Sequence, residues 1–101
     1  MVSMLFFVDL QMWISPEQCR AGRALLGWSQ DELAERSHVS KRSIAGFESG
    51  ARAAQPRTAL DLQRALEAAG IHFLMNDADG GVGVRFSQPS PEPNAETKVS
   101  D

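Results

Sequence analysis

The sequence predicts a mainly α fold: four helices between Ser15 and Gly70, a short C-terminal β-hairpin, and a candidate strand at the N-terminus. Three observations predict it. Helix-start signals of the form Ser-x-x-Gln or Ser-x-x-Glu recur ahead of apolar runs with helical spacing. At Gly70 the apolar period changes from helical to two. The 101 residues, 43% of them hydrophobic, suffice for one modest core.

Ser15-Pro16-Glu17-Gln18 opens the first helix with an N-cap serine, a proline at the first helical position and a capping-box glutamine. Ser29-Gln30-Asp31-Glu32 repeats the device, and Ser40 opens a third helix over Lys41, Arg42 and Ser43. A hydrophobic pair that could staple the entry flanks each cap: Ile14 with Cys19, Trp28 with Leu33, Val39 with Ile44. Thr58 with Asp61 is read as the start of the fourth helix, which runs through Leu62, Leu66 and Ala69 to Gly70. Leu25, Leu26 and Trp28 are assigned to the core, and Cys19 to a small buried position.

Ile71, Phe73 and Met75 alternate with His72 and Leu74. Turn residues Asn76 to Gly81 follow, and Val82, Val84 and Phe86 resume the alternation. An isolated two-stranded hairpin is barely stable in water, so this one needs further strands or a helix face. Val2, Met4, Phe6, Val8, Leu10 and Met12 share one parity, and a strand fits that stretch better than a helix. A start at Met12, leaving residues 1–11 as an extension, is the alternative. Pro89, Pro91 and Pro93 among polar neighbours predict a disordered tail. The expected organisation is therefore 1–14 extension, 15–70 helical domain, 71–86 hairpin and 87–101 tail. A small intersubunit sheet is expected, with Phe6, Val8, Ile71, Phe73, Val82 and Val84 as dimerisation residues.

Several classes are disfavoured. One cysteine builds neither a disulfide framework nor a zinc site, and fits a reducing cytoplasm. The N-terminal apolar run lacks a leading Lys or Arg, is broken by Asp9 and is too short to span a bilayer. No nucleophile–base arrangement, phosphate loop or paired-carboxylate cleft is evident, so no enzyme activity, cofactor or metal is expected. The net charge of −3 argues against nucleic acid until its distribution is read. Arg36, Lys41, Arg42, Arg52 and Arg57 stand between residues 36 and 57 against the lone acid Glu48. Acids gather elsewhere, at Asp31, Glu32, Glu35, Asp77, Asp79 and the tail.

In the twenty residues from Gln30, Leu33, Ser37, Val39, Ile44 and Phe47 fall where two short, steeply crossed helices bury side chains against each other. Ala34 marks their close approach. His38 occupies the tight turn, a place that favours glycine because φ is positive there. This spacing defines a helix-turn-helix over roughly Gln30 to Ser49.

From Cys19 to Gly70 the chain resembles the Cro/CI-type, or XRE-family, helix-turn-helix regulators. The residues that carry the likeness are the runs Arg23 to Gln30, Asp31 to Ala34, Val39 to Ile44, Phe47 to Gly50 and Leu62 to Gly70. The resemblance implies a lambda-repressor-like bundle of four or five helices, and a cytoplasmic, dimeric transcriptional repressor whose partner is double-stranded DNA. In such motifs the second helix enters the major groove. Ser40, Lys41, Arg42 and Ser43 would read bases, and Gln30, Ser49, Arg52 and Arg57 would hold phosphates. Gly46 offers no side chain to a base, which implies a shorter footprint or more dependence on DNA shape. The family likeness implies a structural role for Glu48, which is expected to pair inward or with an arginine such as Arg23. The competing class is a protein-interaction module, an antitoxin or antiactivator, that binds a partner protein through its strands.

Overall fold

The computed structural model describes residues 13–51 and 55–89. Its elements are α1 (Pro16–Leu26), α2 (Gln30–Ser37), α3 (Lys41–Ser49), α4 (Pro56–Ala68), β1 (Ile71–Leu74) and β2 (Gly83–Phe86). The mainly helical architecture with a C-terminal antiparallel hairpin is the one the sequence predicts.

Local chemistry sets three of the four helix starts. Ser15 Oγ accepts the Gln18 amide at 3.1 Å, and Gln18 Oε1 accepts the Ser15 amide at 2.9 Å. Ser29 and Glu32 repeat the exchange at 3.1 and 3.0 Å. Ser40 makes half of it, because Ser43 is too short to reach back to the N-cap amide. The fourth start differs from expectation. α4 begins at Pro56, two residues before Thr58, with Gln55 as an N-cap that makes no side-chain bond. The fixed φ of proline at the first position replaces the side-chain cap. Asp61, freed from capping, pairs with Arg57 one turn earlier at 3.4 Å.

Between α2 and α3, His38 adopts φ 62°, the one positive φ outside glycine among the described residues. Its amide donates to Ala34 O, closing α2 in the left-handed turn that the motif requires. Every helix and β1 feed one core, formed by Ile14, Cys19, Leu33, Ile44, Phe47, Ala59, Leu62, Leu66, Ile71 and Phe73. Trp28 and Val39 pack against it, as their positions beside the caps suggest. Leu25 does not join it and is 40% exposed. Cys19, Gly22 and Leu26 take the inward stripe of α1, which turns Leu25 outward.

The hairpin pairs Ile71 with Phe86 and Phe73 with Val84. It finds its stability on the helices of its own chain, packing on α1 and α4. Gln18 fastens it: while Oε1 caps α1, Nε2 donates to Leu74 O at 2.9 Å and Gly83 O at 3.0 Å. This corrects two of the expected dimerisation residues. Ile71 and Phe73 are only 2% and 7% exposed, buried beneath the sheet in the core, and cannot also face a second subunit. Val84 is partly buried against the same core and Val82 is 42% exposed. Phe6 and Val8 lie outside the described residues, as does the candidate N-terminal strand. The ladder extends to Ser87, whose amide donates to Gly70 O at 2.8 Å, so the first residue assigned to the tail belongs to the hairpin.

Candidate nucleic-acid interface

α3 is amphipathic in a way that separates packing from presentation. Ile44, Phe47 and Glu48 are buried, while Lys41 and Arg42 at its leading end are exposed. Spacings of three and four residues put the buried set on one face and leave the first turn to solvent. Lys41 Nζ lies 3.3 Å from Asp31 on the first turn of α2, both side chains largely in water. Arg42 has no ion-pair partner among the described residues. Ser40 is occupied as the N-cap: its Oγ accepts the Ser43 amide at 3.1 Å, and its hydroxyl donates to Ser43 Oγ at 3.0 Å.

The expected phosphate contacts have more varied surroundings. Gln30 starts α2, where first-turn backbone amides lack helical partners. Its side chain turns inward, with Nε2 donating to Glu48 Oε1 at 3.0 Å. Ser49 ends α3, donating to Gly46 O at 3.1 Å and accepting the Ala51 amide at 3.2 Å. Arg57 is exposed beside Asp61. Arg52 lies outside the described residues.

A polar hub holds α3 in place. Glu48, 2% exposed, receives four side-chain hydrogen bonds on its two carboxylate oxygens. Arg23 grips it with two, Nε to Oε2 and Nη2 to Oε1, each at 2.7 Å. Cys19 Sγ donates to Oε2 at 3.2 Å, and Gln30 supplies the fourth. Arg23 Nη1 donates to Trp28 O at 2.9 Å, and Arg20 Nη1 donates to the Glu48 carbonyl. One carboxylate thus binds the end of α3 to α1, to the α1–α2 turn and to the start of α2. Burial works to raise the Glu48 carboxyl, but the bonds from Arg23, Gln30 and Cys19 outweigh it and hold the group below its ordinary value. The bond to Glu48 pushes Arg23 up. Burial first, then Glu48, push the Cys19 thiol up, so it stays protonated and a poor nucleophile.

The pairing of Glu48 with Arg23 is one that the family resemblance suggests. The contributions of Cys19, Arg20 and Gln30 to the hub, and of Gln18 to the hairpin, are not suggested by it. Gln18 and Cys19 carry a local signal, their place on the stripe of α1 that faces the core, whereas Arg20 is exposed and Gln30 opens α2, and neither carries one.

Two packed helices joined through a left-handed turn, the second held on one face and open on the other, form a helix-turn-helix, the motif of DNA-binding transcription regulators. Residues 20–69, about half the chain, match the family model described as Helix-turn-helix. The chain belongs to the Cro/CI-type, or XRE-family, helix-turn-helix proteins. No curated protein matches it. Among the described residues, no helix is long and apolar enough to cross a membrane.

Proposed function

We propose that the protein is a homodimeric cytoplasmic repressor that reads an inverted repeat through the major groove, with α3 as the recognition helix. The observation that carries this reading is the exposed leading turn of α3, with Arg42 in no ion pair among the described residues, on a helix whose opposite face is fixed by Ile44, Phe47 and Glu48. Rigid support matters because bidentate contact with a base edge requires a side chain already placed. Arg42 donates to guanine O6 and N7, and Lys41 and Ser43 read its neighbours. Ser40 keeps its capping role and contributes only indirectly.

First-turn amides of α2, with Gln30, hold one phosphate at the dipole-favoured helix end. Ser49, Arg52 and Arg57 hold others. Two recognition helices about 34 Å apart would meet half-sites one DNA turn apart. The dimer contact is assigned to the strand side of the molecule, to Phe6 and Val8 and the Val82 end of the hairpin, with Val84 behind them. Operator occupancy represses by blocking the promoter.

The test is a gel-shift titration against an operator selected from random DNA, with the wild-type chain and a Lys41→Ala/Arg42→Ala double variant. Both changes fall on exposed positions, so the fold should survive while specific binding is lost. Undiminished affinity in a folded double variant would remove α3 from the recognition role.

A further inference from the structure

Leu25, Val82 and Phe86 are the exposed large hydrophobic residues among those described, and all three lie on α1 or at β2. The sheet register explains why the strand pair is half covered. Phe86 stands opposite Ile71 and Val84 opposite Phe73, so these four share the face that rests on the helices. On β1 that face is buried; on β2 it runs out into solvent, with Phe86 39% exposed. The Ser87 amide bond to Gly70 O also fixes the alternation of the ladder. The amides of Arg85 and Ser87 point toward β1, and those of Val84 and Phe86 point away, toward an edge with no neighbouring strand among the described residues. An apolar half-face beside an open edge is a template for one more strand.

We propose that residues 2–8 of the same chain add to this edge as a third, antiparallel strand. Direction and reach carry the choice of occupant. Gln18 holds the start of α1 against Leu74 and Gly83, so the chain enters α1 at the end of the hairpin where β2 begins. β2 runs away from that point. A segment leading into Trp13 therefore approaches it antiparallel to β2. With Val8 opposite Val82, residues 9–12 form a link able to cover about 13 Å. The same register sets Phe6 opposite Val84 and Met4 opposite Phe86, where the outward amides and carbonyls of β2 lie. The alternation then puts Val2, Met4, Phe6 and Val8 on the helix-facing side and Ser3, Leu5 and Phe7 on the other. Three strands on a helix layer also meet the ordinary requirement for a stable small sheet. The outer edge of the added strand stays open for a dimer contact, which Phe6 and Val8 then support from beneath rather than face directly, and the inference stands whether or not the chain binds DNA.

Amide hydrogen exchange by NMR on the full chain tests it. The Val84 and Phe86 amides should exchange at least about tenfold more slowly than open-edge amides, at all protein concentrations. A full-length Phe6→Asp/Val8→Pro variant should lose that protection while Arg85, bonded to β1, keeps its own. Unprotected Val84 and Phe86 in the wild-type chain would overturn the proposal. So would protection that survives in the variant. Protection that fades on dilution would assign the strand to a second copy and overturn the arrangement within one chain.

Discussion

Replacing Glu48 by glutamine removes one charge and changes almost no volume, so its cost isolates the electrostatic part of the hub. Glu48 offers two oxygens to four donors, and the amide keeps one oxygen and turns a nitrogen toward the others. At least one of the two 2.7 Å Arg23 bonds becomes a donor–donor clash. Hydrogen bonds to charged groups contribute about 1.5–3 kcal/mol each, and breaking a buried pair from one side costs about 3–5 kcal/mol. The Arg23 side chain keeps 19% of its exposure and can recover some hydration, which favours the lower end, about 3 kcal/mol. For a domain this small that is a loss of roughly 12–24 °C in Tm. Urea unfolding followed by helical circular dichroism measures it. Because Glu48 is held below its unfolded pKa, its stabilisation is whole above the ordinary carboxylate value, about 4.3, and is lost as pH falls through the lower folded value. The gap between wild type and variant should therefore narrow on acidification. A cost under about 1 kcal/mol at pH 7, or parallel stability curves down to low pH, would refute the view that Glu48 anchors α3.

Three further outcomes follow from other contacts. Gln18→Glu keeps the cap acceptor but leaves the Leu74 and Gly83 carbonyls facing a carboxylate, and should cost about 2–4 kcal/mol in thermal unfolding. A change below about 0.5 kcal/mol would mean the hairpin does not depend on that clamp. His38→Gly relieves a side chain at φ 62° and should stabilise by about 0.5–1 kcal/mol in the same assay. A loss would show that the histidine has a role beyond the turn. Asp31→Asn releases Lys41 at the leading end of α3 and should tighten DNA binding up to about fivefold at low salt, less as salt rises. Unchanged affinity would indicate that Lys41 leaves Asp31 at no cost when DNA is bound.

What the sequence revealed was local or periodic. Ser15, Ser29 and Ser40 announced their helices because a cap bonds within three residues, and the apolar spacing from Leu33 to Phe47 located the turn although His38 stands where glycine is favoured. The start of α4 was misplaced because Pro56 and Thr58 offer competing signals, and the one that fixes backbone φ prevailed. Alternation identified Ile71 and Phe73 as one face of a strand but not what that face meets. Their cover is α1 and α4 of the same chain, a contact between residues distant in sequence. Leu25 shows the same limit, since its composition suggests core while the direction of its turn of α1 decides otherwise. Gln18 is the sharpest case. Its capping role is written in the Ser-x-x-Gln pattern, whereas its bonds to Leu74 and Gly83 span 56 and 65 residues.

The most direct measurement compares the sequences that the wild-type chain and an Arg42→Ala chain select from random DNA. Loss of the guanidinium should relax one base position in each half-site, at a cost of about 1–3 kcal/mol against the preferred base, while the rest of the motif persists. An unaltered motif, or a uniform weakening at every position, would contradict the assignment of Arg42 to a base edge at the head of α3.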